Sequence, residues 1–305
     1  MDILIFVVSM TALIYGADYI IEESEKIALH YNISPFVIGA TLVALGTSLP
    51  EMAVSMSASL KGSGDIAVAN VIGSTIFNIA LVLGAVFIIS KKINPDRDLF
   101  AKDSAWALFP ILVFILMGID GKLNIVDGIL FLILMVAYLT FLISSNQVEE
   151  IENDLDKEKF AWFKTIGFLL VGFVLTIGGA DFAIDSAGNI ARDFGISEWI
   201  IGLFLVAFGT SLPELTISIK AALNNNADLA IGNIIGSNVA NFTMVLGLSS
   251  IVNTLNVNLV ANFFDITAAF ILSLMLVFIT ANKLYNKSAG IVLLVVLGLV
   301  IQNSL

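Results

Sequence analysis

The sequence predicts an all-α integral membrane protein of ten transmembrane helices, arranged as two inverted-topology five-helix repeats. Three observations lead there. Of 305 residues, 58% are hydrophobic and 13% charged, with a mean hydropathy of +1.00, far from soluble usage. Apolar runs of membrane-crossing length recur along the whole chain. The two halves also repeat one another.

A helix rising ~1.5 Å per residue needs about 20 apolar residues to cross a ~30 Å hydrocarbon core. Such runs fall near residues 3–21, 35–60, 66–90, 103–119, 124–143, 160–184, 199–223, 229–252, 263–281 and 284–302. The first opens without a basic segment or a small-residue cleavage site, so it is expected to be a retained helix rather than a signal peptide. Between the fifth and sixth lies the one long hydrophilic stretch, 144–159, holding Glu149, Glu150, Glu152, Asp154, Asp156 and Glu158. It reads as a solvated linker between an N-terminal repeat, 1–143, and a C-terminal repeat, 160–305.

Residues 39–84 align without a gap on 202–247, with 23 identities in 46 positions. The identities include Gly-Thr-Ser-Leu-Pro-Glu at 46–51 and 209–214, and Asn-x-Ile-Gly-Ser-x-x-x-Asn at 70–78 and 233–241. Five spans per repeat is an odd number, so the second copy enters the membrane from the opposite side. With the N-terminus outside, eleven Lys and Arg fall on inner segments and three, Lys61, Lys122 and Arg192, on outer ones. The positive-inside rule therefore predicts a multi-pass cell-membrane protein with an external N-terminus and a cytoplasmic linker.

Without Cys, thiolate sites are excluded, and the lone His30 excludes an imidazole cluster. Oxygen-ligand chemistry remains. Pro50 and Pro213 interrupt the second and seventh runs and free the carbonyls of Gly46 and Gly209. Leu49 and Leu212, each before a proline, are biased away from helical geometry, so a short unwound stretch is expected near the bilayer midplane. Directly after the breaks stand Glu51 and Glu214, each costing at least about 2.5 kcal/mol at that depth. Thr47 and Ser55 lie four residues either side of Glu51, and Thr210 and Ser218 relate likewise to Glu214. Ser74 with Asn78, and Ser237 with Asn241, share faces on the following helices. Together these groups supply the oxygens that Ca2+ takes, ~6 to 8 of them.

Blander readings compete. A membrane proline is usually a kink, and small residues usually serve packing, which is the favoured reading for any single one of Gly73, Ser74, Gly84, Ser237 or Gly247. For Asn78 and Asn241 an interhelical hydrogen bond competes evenly with ligation. Two intramembrane acids at the same place in both halves have no cheap structural explanation. Asp18, Glu22, Glu23, Asp181 and Asp185 read as interfacial, and Asp65 and Asp228 as caps of helices 3 and 8, with a role at an entrance as the alternative.

On these motifs the sequence resembles the cation/Ca2+ exchanger superfamily, specifically its prokaryotic-type Na+/Ca2+ exchangers, whose two alpha repeats look like the paired motifs above. The resemblance implies a central site between helices 2, 3, 7 and 8, with helices 1 and 6 sliding past the rest. It implies Ca2+ ligation by the side chains of Glu51 and Glu214 and the backbone carbonyls of Thr47 and Thr210. It implies Na+ sites adding Ala44, Ser48, Ser74, Ala207, Ser211 and Ser237, with Asn78 and Asn241 at the remaining central positions. Several relatives carry Asp at one of the last two places. With Asn at both, the core charge is −2, which one Ca2+ neutralises and three Na+, the number the resemblance implies, would overcompensate. The expected function is electrogenic Na+/Ca2+ antiport by alternating access. No cofactor, nucleic acid or obligatory protein partner is expected, only the bilayer and the transported ions. A proton-coupled Ca2+ exchanger ranks second, a cation channel lower. An intramembrane metalloenzyme lacks its nitrogen ligands, and a purely structural protein would leave both glutamates unexplained.

Overall fold

The computed structural model describes residues 2–90, 95–145, 161–193 and 207–304; most of the 144–159 linker and the start of the seventh run lie outside them. The chain is mostly helical. Helix α1 (Asp2–Tyr31) leads to the broken pair α2 (Pro35–Thr47) and α3 (Leu49–Leu60), then α4 (Gly64–Ile89), α5 (Ser104–Asp120) and α6 (Ile125–Ser144). The second half has α7 (Trp162–Asp193), the broken pair α8 (Ala207–Thr210) and α9 (Leu212–Leu223), α10 (Ala227–Val252), α11 (Phe263–Ala281) and α12 (Lys287–Ser304). Among the described residues six helices are long and apolar enough to cross a membrane, or seven with the α2–α3 pair taken as one span.

Burial ranks the helices by depth. Over an apolar stretch of 18 residues in each helix, 83% is buried in α10 and 67% in α4, against 28% in α1 and α6. Helices α4 and α10 are therefore the inner ones, and α1 and α6 turn apolar residues such as Leu4, Val8, Ile133 and Val136 outward. Glycines set the closest approaches. A Cβ on Gly39 would lie 3.1 Å from Asn233 N, and one on Gly236 2.6 Å from Ala40 Cα. Helix α2 of the first half thus packs backbone to backbone on α10 of the second. Gly172 and Gly179 do the same between α7 and α1, where an added Cβ would lie 3.0 Å from Gly16 O or 2.8 Å from Leu13 N. A two-residue antiparallel ladder, β1 (Lys122–Leu123) with β2 (Leu255–Asn256), ties the loop after α5 to the loop after α10.

Two acids depart from the sequence reading. Asp228 does not cap its own helix, because Asn226 takes Leu229 N there (3.1 Å). Its carboxylate instead accepts Asp96 N (2.9 Å) and Arg97 N (3.3 Å), holding the loop before α5. Glu23 is buried rather than interfacial, paired with Lys26 at 2.7 Å, because α1 runs a further ten residues beyond its apolar stretch and packs as it goes. Asp18 is half-buried and paired with Lys220 of α9 at 2.7 Å.

Candidate cation-binding site

Two matched backbone interruptions build the site. Ser48 (φ −81°, ψ 4°) and Ser211 (φ −90°, ψ 3°) both sit in the sparsely populated bridge region. Ser48 N donates to Ala44 O (3.0 Å), and the ladder resumes with Met52 N donating to Ser48 O (3.0 Å); in the second copy Leu215 N donates to Ser211 O (3.0 Å). The first pair bends by 43°. The break is narrower than expected: Leu49 and Leu212 already belong to the following helices, and the interruption shrinks to one serine per copy. A proline in the first turn of a helix explains this, since its missing N–H would be unpaired there anyway.

Glu51 and Glu214 fall in those first turns, where the positive end of the helix favours a carboxylate. Both are wholly buried, and none of their four carboxylate oxygens has a hydrogen-bond partner among the described residues. The neighbours cross between repeats. Glu51 is approached by the hydroxyls of Thr210 and Ser74, Glu214 by those of Thr47, Ser48 and Ser237, and the two carboxylates repel each other. Thr47 Oγ1 lies 3.2 Å from Ala44 O, 3.3 Å from Asn233 Oδ1 and 3.3 Å from Ser237 Oγ, a junction spanning both halves.

Both Asn78 and Asn241 lie in π-helical turns, Phe77–Leu83 of α4 and Asn241–Val245 of α10. Such turns concentrate at functional sites, and apolar periodicity gives no sign of them. The first packs against α9, which carries Glu214, and the second against α3, which carries Glu51. Asn78 Nδ2 donates to Asn238 Oδ1 at 3.1 Å, while Asn78 Oδ1 and both polar atoms of Asn241 are unpaired. The hydroxyls of Ser48, Ser74 and Ser211 are unpaired and buried as well. Isolated hydroxyls such as those of Ser24, Ser90 and Ser249 are also unpaired, but the only unpaired buried carboxylates and amides among the described residues are these and Asn238 Nδ2.

Other expected residues serve differently. Ser55 accepts Asn70 Nδ2 (2.9 Å), Ser218 accepts Asn233 Nδ2 (3.0 Å), and Asn70 Nδ2 also reaches Glu51 O (3.2 Å). These serines hold the glutamate helices to α4 and α10. Asn70 and Asn233 were legible as a repeated pair; Asn238 was not, because its repeat equivalent is Thr75. Ala44 O accepts Ser48 N with one of its two lone pairs, and Ala207 opens α8. Chemically the set is all oxygen with a formal charge of −2, matching a hard cation in donor type and number. No group of three or more His, Cys, Asp or Glu placed to hold a metal ion together is found among the described residues.

Comparison with known proteins identifies the family. The family model described as sodium/calcium exchanger protein matches residues 1–144 and 164–304. An uncharacterised membrane protein of Methanocaldococcus jannaschii is 41% identical over 81% of this chain and 80% of its own length. The sodium/calcium exchanger MaX1 of Methanosarcina acetivorans is 29% identical over 96% of this chain and 95% of its own. A solved structure of the sodium-calcium exchanger NCX_Mj superposes with a TM-score of 0.87 at 37% identity, covering 99% of this chain and 98% of that one. The chain belongs to the sodium/calcium exchanger protein family, and it is a multi-pass membrane transporter of the cation/Ca2+ exchange class.

Proposed function

We propose that this protein exchanges Na+ for Ca2+ electrogenically by alternating access, through one site at the two helix breaks. The carrying observation is that Glu51 and Glu214 are fully buried with every carboxylate oxygen unpaired. An unpaired buried charge is costly, and a bound cation offsets that cost. One Ca2+ neutralises the pair. Its ligands are the two carboxylates and the carbonyls of Thr47 and Thr210. Na+ uses the same carboxylates with Ser48, Ser74, Ser211, Ser237, Asn78, Asn241 and the carbonyls of Ala44 and Ala207. Three Na+ against a core of −2 leave one net positive charge to move per cycle.

The same reading makes the chain ten spans in two inverted repeats, 1–143 and 160–305, joined by a cytoplasmic linker at 144–159, with the N-terminus outside. Each carboxylate draws its hydroxyl neighbours from the opposite repeat as well as its own. Moving one repeat against the other therefore remakes both halves of the site together. That coupling is what alternating access around a midplane site requires.

Reconstitution in liposomes tests the coupling. Ca2+ uptake is expected to need internal Na+ and to rise with an inside-positive potential. Uptake driven by a pH gradient and indifferent to Na+ would assign the protein to proton-coupled exchange instead.

A further inference from the structure

The geometry points to Asn238 as a positioning residue that fixes the amide of Asn78 so that its oxygen, not its nitrogen, is presented for cation ligation. The inference rests on the cation site proposed above and goes beyond it by assigning a role to a residue outside that ligand set.

Asn238 is 3% exposed, and its Oδ1 accepts Asn78 Nδ2 at 3.1 Å. A carboxamide has one donor end and one acceptor end. Committing the donor end of Asn78 to Asn238 leaves Oδ1 as the free end, and that atom is buried without a partner. The reverse orientation of both amides would present the NH2 group of Asn78 instead. Beside a cation it would be repelled, so the charge of the cargo selects the observed arrangement. Asn78 lies in the π-helical turn that packs on the Glu214 helix.

The device is not mirrored on Asn241. The position equivalent to Asn238 is Thr75, whose hydroxyl donates to Val71 O in its own helix (2.9 Å). Asn241, the counterpart of Asn78, has both amide atoms unpaired. The two central amides are therefore inequivalent: Asn78 is held as an oxygen donor, and Asn241 has no such partner.

Na+ binding to the purified full-length protein, read by its displacement of bound Ca2+ at equilibrium, tests this through the wild type, Asn238→Leu, Asn78→Ala and the double variant, with Ca2+ binding to Glu51→Gln alongside. Asn238→Leu is expected to weaken Na+ binding about three- to fivefold, the worth of one neutral interhelical hydrogen bond. In the Asn78→Ala background the same substitution is expected to change it by less than about twofold, because the two residues act as one unit. Asn238→Asp keeps the acceptor and is expected to bind Na+ no more weakly than the wild type, which guards against a Leu variant that fails to fold. An equal loss in both backgrounds, no loss in either, or an Asp variant as weak as Leu would overturn the assignment. Ca2+ binding that survives Glu51→Gln would overturn the underlying site as well.

Discussion

Arg97 and Asp103 form the most buried ion pair among the described residues. The guanidinium meets the carboxylate at 2.5 and 3.0 Å, donates to Ser145 Oγ at 2.8 Å, and stacks 4.7 Å above the Phe36 ring. One side chain thus joins the start of α5, the end of α6 and the start of α2. Removing one partner of a buried pair strands the other, so Arg97→Met is expected to cost about 3–5 kcal/mol, read as a lowered thermal unfolding midpoint in detergent. Adding Asp103→Leu should recover most of it. At this scale the glutamates were legible because an acid inside an apolar run has no local explanation. Asp228 was misread because its partners, Asp96 and Arg97, lie over 130 positions away, while an acid at a helix start has an ordinary local meaning.

Helix α2 can pass α10 only where side chains are missing. A Cβ at Gly236 would fall 2.6 Å from Ala40 Cα and 2.7 Å from Ala44 Cβ. Gly236→Val is therefore expected to lower stability by about 1–3 kcal/mol and to reduce transport, since Ala44 begins the turn leading into the Ser48 break. A variant with unchanged midpoint and unchanged transport would show that this crossing has slack. Apolar run length located the described spans well, because hydrocarbon thickness fixes it. The ends of α1 were underestimated, since Glu23 to Tyr31 continue the helix through ion pairing and packing rather than hydropathy. The π-helical turns had no sequence signal at all. One extra residue in a turn leaves hydropathy unchanged, and the packing of the neighbouring helices decides where it goes.

For the whole molecule, the internal repeat carried the most information, because 23 matched positions imply one backbone used twice. Its departures matter equally: Asn238 against Thr75 makes the two halves chemically unequal. The proposed orientation, with the N-terminus outside, rests on the Lys and Arg distribution and is open to a direct check. The chain has no Cys, so single cysteines can be introduced without removing others. A membrane-impermeant maleimide applied to intact cells is expected to label Lys61→Cys and spare Lys283→Cys, and the opposite pattern would invert the topology. The central claim, that one site at Glu51 and Glu214 serves both ions, is tested most directly by equilibrium Ca2+ binding to the purified protein under rising Na+. One Ca2+ per chain, displaced by Na+ with a dependence steeper than one-for-one and lost in both Glu51→Gln and Glu214→Gln, is the predicted result. Ca2+ binding that survives both substitutions, or that Na+ does not displace, would contradict it.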